Sequence, residues 1–78
     1  MFKDHAQVVL KRALPGLGLA PGAVGVVVHV HKDYEGYEVE FLSWDGQTIG
    51  VETVEDRDLE RFKMGHALAE LGHQIGWQ

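Results

Sequence analysis

The stretch from Val24 to Thr53, VGVVVHVHKDYEGYEVEFLSWDGQTIGVET, constrains the fold more than any other part of the chain. Apolar and polar residues alternate with period two, the pattern of half-buried strands. Breaks at Asp33–Gly36 and at Asp45-Gly46 divide the stretch into three consecutive antiparallel strands. In the first, Val24, Val26, Val28 and Val30 share one face, and Gly25, Val27, His29 and His31 share the other. In the second, Tyr37, Val39 and Phe41 turn inward, with Glu38, Glu40 and Leu42 outward.

Parity selects the turn between the second and third strands. A two-residue turn at Asp45-Gly46 would set Phe41 against Gly50 and Val39 against Glu52, placing a carboxylate in the core. A three-residue loop, Trp44-Asp45-Gly46, pairs Ser43 with Gln47 and brings Phe41 opposite Ile49 and Val39 opposite Val51. A one-residue slip inverts every side chain, so the apolar pattern favours the three-residue loop. Gly46 then takes the left-handed position of a bulged turn.

The flanks complete a small β domain. Ala6 to Leu14 (AQVVLKRAL) predicts a first strand, stopped by Pro15-Gly16. Residues 15–23 (PGLGLAPGA) form a loop whose Leu17 and Leu19 tuck over one end of the core, with Pro21-Gly22 at the centre of a type II turn. The acid-rich segment after Val54 predicts a turn, with one 3₁₀ turn, before a short fifth strand near Leu59 to Phe62. Met64, Ala67, Leu68, Leu71 and Ile75 then recur at helical spacing. The expected fold is mainly β: a five-stranded SH3-like barrel over residues 1–62, with a C-terminal amphipathic helix and tail over 63–78. That helix packs on the barrel or on a partner; exchange between two copies would give a homodimer.

Seventy-eight residues without cysteine allow one small core held by packing alone. No apolar run approaches the ~20 residues that cross a bilayer, and MFKDHAQVVLKRAL lacks the features of a signal peptide. The expectation is a soluble, cytoplasmic protein. The net charge of −5 is unevenly spread: residues 1–32 sum to +3, residues 33–60 to −9 and residues 61–78 to +1. An acidic middle repels phosphate backbones and attracts basic proteins.

This pattern resembles a bacterial domain of unknown function, the family numbered 4926. The resemblance rests on Val8, Val9 and Leu10; Leu14 and Pro15; Gly18 and Leu19; Gly22, Gly25, Val27 and Val28; the run Tyr37 to Phe41; and Asp45, Gly46 and Thr48. It covers about residues 7–60, and Tyr-Glu-Val-Glu-Phe is its most specific part. It implies an SH3-like barrel and carries no enzyme activity. Some members look like partners of small toxin-like proteins, which implies an antitoxin or immunity role.

Few residues point to chemistry. His29 and His31 lie at i, i+2 on one outward face, opposite Glu38 or Glu40 in either register, and two imidazoles with a carboxylate suit zinc. Spacing fixes no third ligand, and ordinary cross-strand pairing explains the same residues. Ser43, Thr48 and Thr53 are the only serine and threonine residues, and none sits in a nucleophile elbow. The glycines at 16, 18, 22 and 25 lack the strand–loop–helix setting of a phosphate loop. Glu38, Glu40 and Glu52 form an outward acidic patch, with Glu38 opposed to Glu52, a costly like-charge pair that suggests a basic partner. Trp44 joins Leu68 and Leu71 as a second contact surface. The sequence therefore predicts a non-enzymatic protein-interaction module without cofactor or resident metal, of an antitoxin or immunity type that neutralises a basic partner. An accessory nucleic-acid-binding barrel, or weak metal binding through His29 and His31, is the alternative.

Overall fold

The computed structural model describes residues 1–43 and 45–63. Five strands form one antiparallel sheet: β1 (Gln7–Leu10), β2 (Val24–Val30), β3 (Gly36–Leu42), β4 (Thr48–Glu55) and β5 (Leu59–Arg61). Their spatial order is β4-β3-β2-β1-β5. The expected five strands are present, but the sheet does not close: its two ends are β4 and β5. The expected C-terminal helix, with Leu68 and Leu71, lies outside the described residues, as does Trp44.

Strand β1 is shorter than the expected span of Ala6 to Leu14. After Leu10 the chain turns away from β2: the Lys11 amide donates to the Asp58 carbonyl at 2.8 Å, and Leu14 forms a single bridge with Leu19. Between those two leucines runs a 3₁₀ turn, Pro15–Leu17, ended by Gly18 at φ 69°. The turn holds Leu17 and Leu19 against the core, as their apolar character predicts. At Ala20–Ala23, Gly22 takes φ 98° and the Ala23 amide donates to the Ala20 carbonyl at 3.2 Å, the expected type II turn.

The β3–β4 connection has the expected three-residue loop. The Ser43 amide donates to the Gln47 carbonyl at 2.8 Å, and Gly46 takes φ 85°. The register beyond it differs from the expectation. Leu42 pairs with Thr48 but Phe41 pairs with Gly50, so Ile49 is an extra residue, a bulge. Val39 consequently faces Glu52, and Tyr37 faces Val54. A second bulge lies in β2: Val27 pairs with Val39 and His29 with Glu38, leaving Val28 extra.

These bulges reverse part of the expected facing. In β2 it is Val27 that is fully buried; Val24 and Val26 are half-buried and Val28 is 42% exposed. In β4 only Val54 is buried, while Ile49 and Val51 are 42% and 51% exposed. Glu52 falls on the core side by parity, but β4 is an edge strand and the carboxylate reaches solvent. Gly50 leaves the space that Leu17 fills: a Cβ at Gly50 would lie 2.9 Å from Leu17 Cδ2.

The core consists of Phe2, Val8, Leu10, Leu14, Val27, Tyr37, Val39, Phe41, Val54 and Leu59. Phe2 is an unexpected member. Its ring meets Tyr37 edge-on, with centroids 5.4 Å apart. Tyr37 is fully buried, and its hydroxyl accepts from the Phe2 amide at 3.0 Å and donates to Asp56 Oδ1 at 2.6 Å. Burial is the main cause that raises the Tyr37 pKa above its ordinary value, and the bond to Asp56 adds to it.

Candidate functional site

Strands β2, β3 and β4 present a mixed polar and apolar face away from the core. Register sets two rows across it: a polar one of His29, Glu38 and Thr53, and a mixed one in which Val26 and Val51 flank Glu40. Both bulge residues add to this face. At a bulge, two neighbouring residues oppose one on the next strand. Val28 thus joins His29 beside Glu38, and Ile49 joins Thr48 beside Leu42; both valine and isoleucine are exposed accordingly.

Glu38 is the most connected carboxylate of the face. Its Oε2 accepts from Thr53 Oγ1 at 2.6 Å and lies 2.6 Å from His31 Nε2. These two hydrogen bonds, Thr53 first, hold the Glu38 carboxyl below its ordinary pKa. Glu40 accepts from the Thr48 hydroxyl at 2.5 Å. At the hairpin tip, Ser43 donates to Asp45, and this bond holds that exposed carboxyl below its ordinary pKa.

The predicted cluster of Glu38, Glu40 and Glu52 divides. Glu38 and Glu40 share the outward face, but Glu52 pairs with Val39 and belongs by register to the other side. The expected like-charge pair of Glu38 and Glu52 is replaced by Glu38 opposite Thr53, a hydrogen bond where repulsion was expected. Thr53 and Thr48 were not anticipated in this role. The only signal for them was their position on a strand that carries no other hydroxyl.

His29 does face Glu38, one of the two pairings expected of it. Its ring meets His31 edge-on, with centroids 5.3 Å apart. Among the described residues, no three histidine, aspartate or glutamate side chains are grouped as metal ligands would be. The geometry is that of a polar cross-strand pair in which His31 bonds Glu38.

The charge pattern is plainer than any single contact. From Gly36 to Glu55 the β3–β4 hairpin carries Glu38, Glu40, Asp45, Glu52 and Glu55 and no Lys, Arg or His. Among the described residues His31 meets Glu38 from β2's end, and Arg57 meets Glu55 at 3.1 Å on the surface.

The model of one protein family, Domain of unknown function (DUF4926), matches residues 5–61. The chain belongs to the DUF4926 family. The match spans all five strands, so the DUF4926 region and the sheet coincide. No curated protein and no solved structure matches the chain. Among the described residues of this DUF4926 member, no helix is long and apolar enough to cross a membrane.

Proposed function

We propose that this DUF4926 domain is a non-enzymatic protein-interaction module that takes a basic partner, in the manner of an antitoxin or immunity protein. The observation that carries the reading is the β3–β4 hairpin, which holds five carboxylates and no basic residue at the edge of the sheet. Such a concentration of one sign steers and holds the opposite one. The Glu38 carboxyl supports a binding role over acid catalysis, because its pKa is lowered, whereas a general acid needs it raised. The order β4-β3-β2-β1-β5, with a long loop between β1 and β2 and tighter connections after β2, supports an SH3-like arrangement. The same acidic hairpin opposes contact with a nucleic-acid backbone.

The test uses a short poly-lysine peptide as probe, titrated into the isotopically labelled chain at low and high salt. The expected result is amide shifts on β3 and β4 that fade in high salt and shrink when Glu38, Glu40 and Glu52 are all changed to glutamine. Shifts that ignore those substitutions, or no shifts at low salt, would remove the basic-partner reading.

A further inference from the structure

Among the described residues, β4 has one edge that pairs with no strand. Its phase is set by the ends of the β3–β4 ladder. At one end the Ser43 amide donates to the Gln47 carbonyl; at the other the Asp56 amide donates to the Glu35 carbonyl at 3.2 Å. Between them Tyr37 pairs with Val54 and Val39 with Glu52, so Val54 and Glu52 turn their backbone groups toward β3. Val51, Thr53 and Glu55 are out of phase with these and turn their amides and carbonyls to the open side. Among the described residues, none bonds to that side.

Sheet edges are usually guarded by lysine, proline, a bulge or short length. Strand β4 has neither lysine nor proline, and its eight residues make it the longest strand of the five. Its one bulge, at Ile49, lies near the Thr48 end and leaves the pairing from Gly50 to Glu55 regular. Among the described residues the edge is therefore open along Val51, Thr53 and Glu55, with Ile49 and Val51 exposed on the outward face.

A second copy is a poor occupant. It would bring two hairpins together, each with five carboxylates and no basic residue, and a two-fold axis at Glu52 would set that carboxylate against itself. A basic segment meets the opposite situation. We propose that β4 is the acceptor edge for an added strand: an extended segment of a partner protein in which apolar residues alternate with Lys or Arg. Its apolar side chains lie beside Ile49 and Val51 on the outward face; its basic ones lie on the opposite face beside Glu52. Main-chain bonds to Val51, Thr53 and Glu55 supply affinity, and alternate side chains supply selection. This deepens the basic-partner reading above and rests on it.

The experiment uses the full 78-residue chain and a synthetic peptide of alternating valine and lysine. A second peptide of the same sequence carries N-methyl groups on the amides of alternate residues, on the side that would face β4. The first peptide is expected to bind in low salt and to slow hydrogen exchange at the Val51 and Thr53 amides. The methylated peptide is expected to bind at least about tenfold more weakly, as befits the loss of one or two backbone hydrogen bonds. Val51→Pro removes an amide that faces outward and is not needed by β3; Val51→Lys leaves the backbone intact and places a positive charge on the edge. Both are expected to weaken binding, and the second keeps the test valid if the first does not fold. Equal affinity for both peptides, still sensitive to salt, would overturn strand addition while leaving the basic partner standing. Failure of the unmethylated peptide to bind at low salt would overturn both. Slow exchange at Val51 and Thr53 in the chain alone would also overturn strand addition, its dependence on concentration separating a second copy from cover by the chain itself.

Discussion

Removing a single oxygen from the core, by Tyr37→Phe, is expected to destabilise the fold by about 2–3 kcal/mol. The ring is fully buried and stays so in the variant, which keeps its apolar packing and its edge contact with Phe2. Two hydrogen bonds disappear. The Phe2 amide loses its buried acceptor, a cost of about 1–2 kcal/mol. The Asp56 carboxylate loses a donor at 2.6 Å, but its side chain is 43% exposed and returns to water, so this share is nearer to about 1 kcal/mol. A domain of this length has about 4–12 kcal/mol of stability in all. Urea denaturation should therefore show a lower midpoint with an unchanged slope, and the melting temperature should fall by about 10–20 °C. The hydroxyl also has a signature in pH. Its pKa is raised in the folded chain above the ordinary 10.0. The native state then holds the proton more tightly than the unfolded one, so this contribution is complete below pH ~10 and is lost as pH rises through the folded value. The wild-type chain should lose stability in that alkaline window by more than Tyr37→Phe does. A loss under about 0.5 kcal/mol in the variant, typical of a surface change, or alkaline stability curves that run parallel, would refute this account of the hydroxyl.

Two glycines test the packing of the sheet: a Cβ at Gly25 would meet Val39 Cγ1 at 2.6 Å and the Glu40 carbonyl at 3.0 Å, whereas one at Gly50 would meet only the movable end of Leu17. Gly25→Ala should therefore cost about 2–3 kcal/mol and Gly50→Ala about 1 kcal/mol by urea denaturation; the reverse ranking would contradict the observed register. Glu38 has its pKa lowered by Thr53 and His31, so its contribution is present above the ordinary value of 4.5 and is lost as pH falls through the folded value. Glu38→Gln should flatten the stability curve in that acid window, and an unchanged acid limb would show that these bonds do not persist in solution. Arg12→Ala breaks a 2.8 Å pair with Asp58, but Arg12 is largely exposed, so thermal melts should register a loss of no more than about 1 kcal/mol.

The sequence made the strands legible and much of the register illegible, for a physical reason. Period-two alternation around Tyr37, Val39 and Phe41 reports burial directly, and all three are fully buried. Gly22 and Gly46 mark turns because each must take a positive φ, and each does. Bulges leave no such trace. Val28 and Ile49 look like any other β-branched strand residue, yet each shifts the pairing of the rest of its strand by one. Parity alone then assigns Val51 to the core and misplaces Glu52, so the acidic site was legible as a charge pattern but not as one surface. Phe2 was missed because one aromatic beside charged residues has no periodicity to read; its place depends on the Tyr37 hydroxyl, far away in the chain.

Leu17 and Gly50 lie far apart in sequence, yet they touch. Judged from its own residues, the β3–β4 hairpin prefers apolar against apolar, with Ile49 opposite Phe41. That pairing would point Ile49 into the space Leu17 occupies. The loop leucine thus acts as a key that fits only one of two competing alignments. A hairpin peptide cut from residues 34–57 would lack that key and should favour the alignment without the bulge at Ile49. In the intact chain, the alignment of β4 and the seating of the turn at Pro15–Leu17 on the sheet are thereby coupled: each fits only with the other.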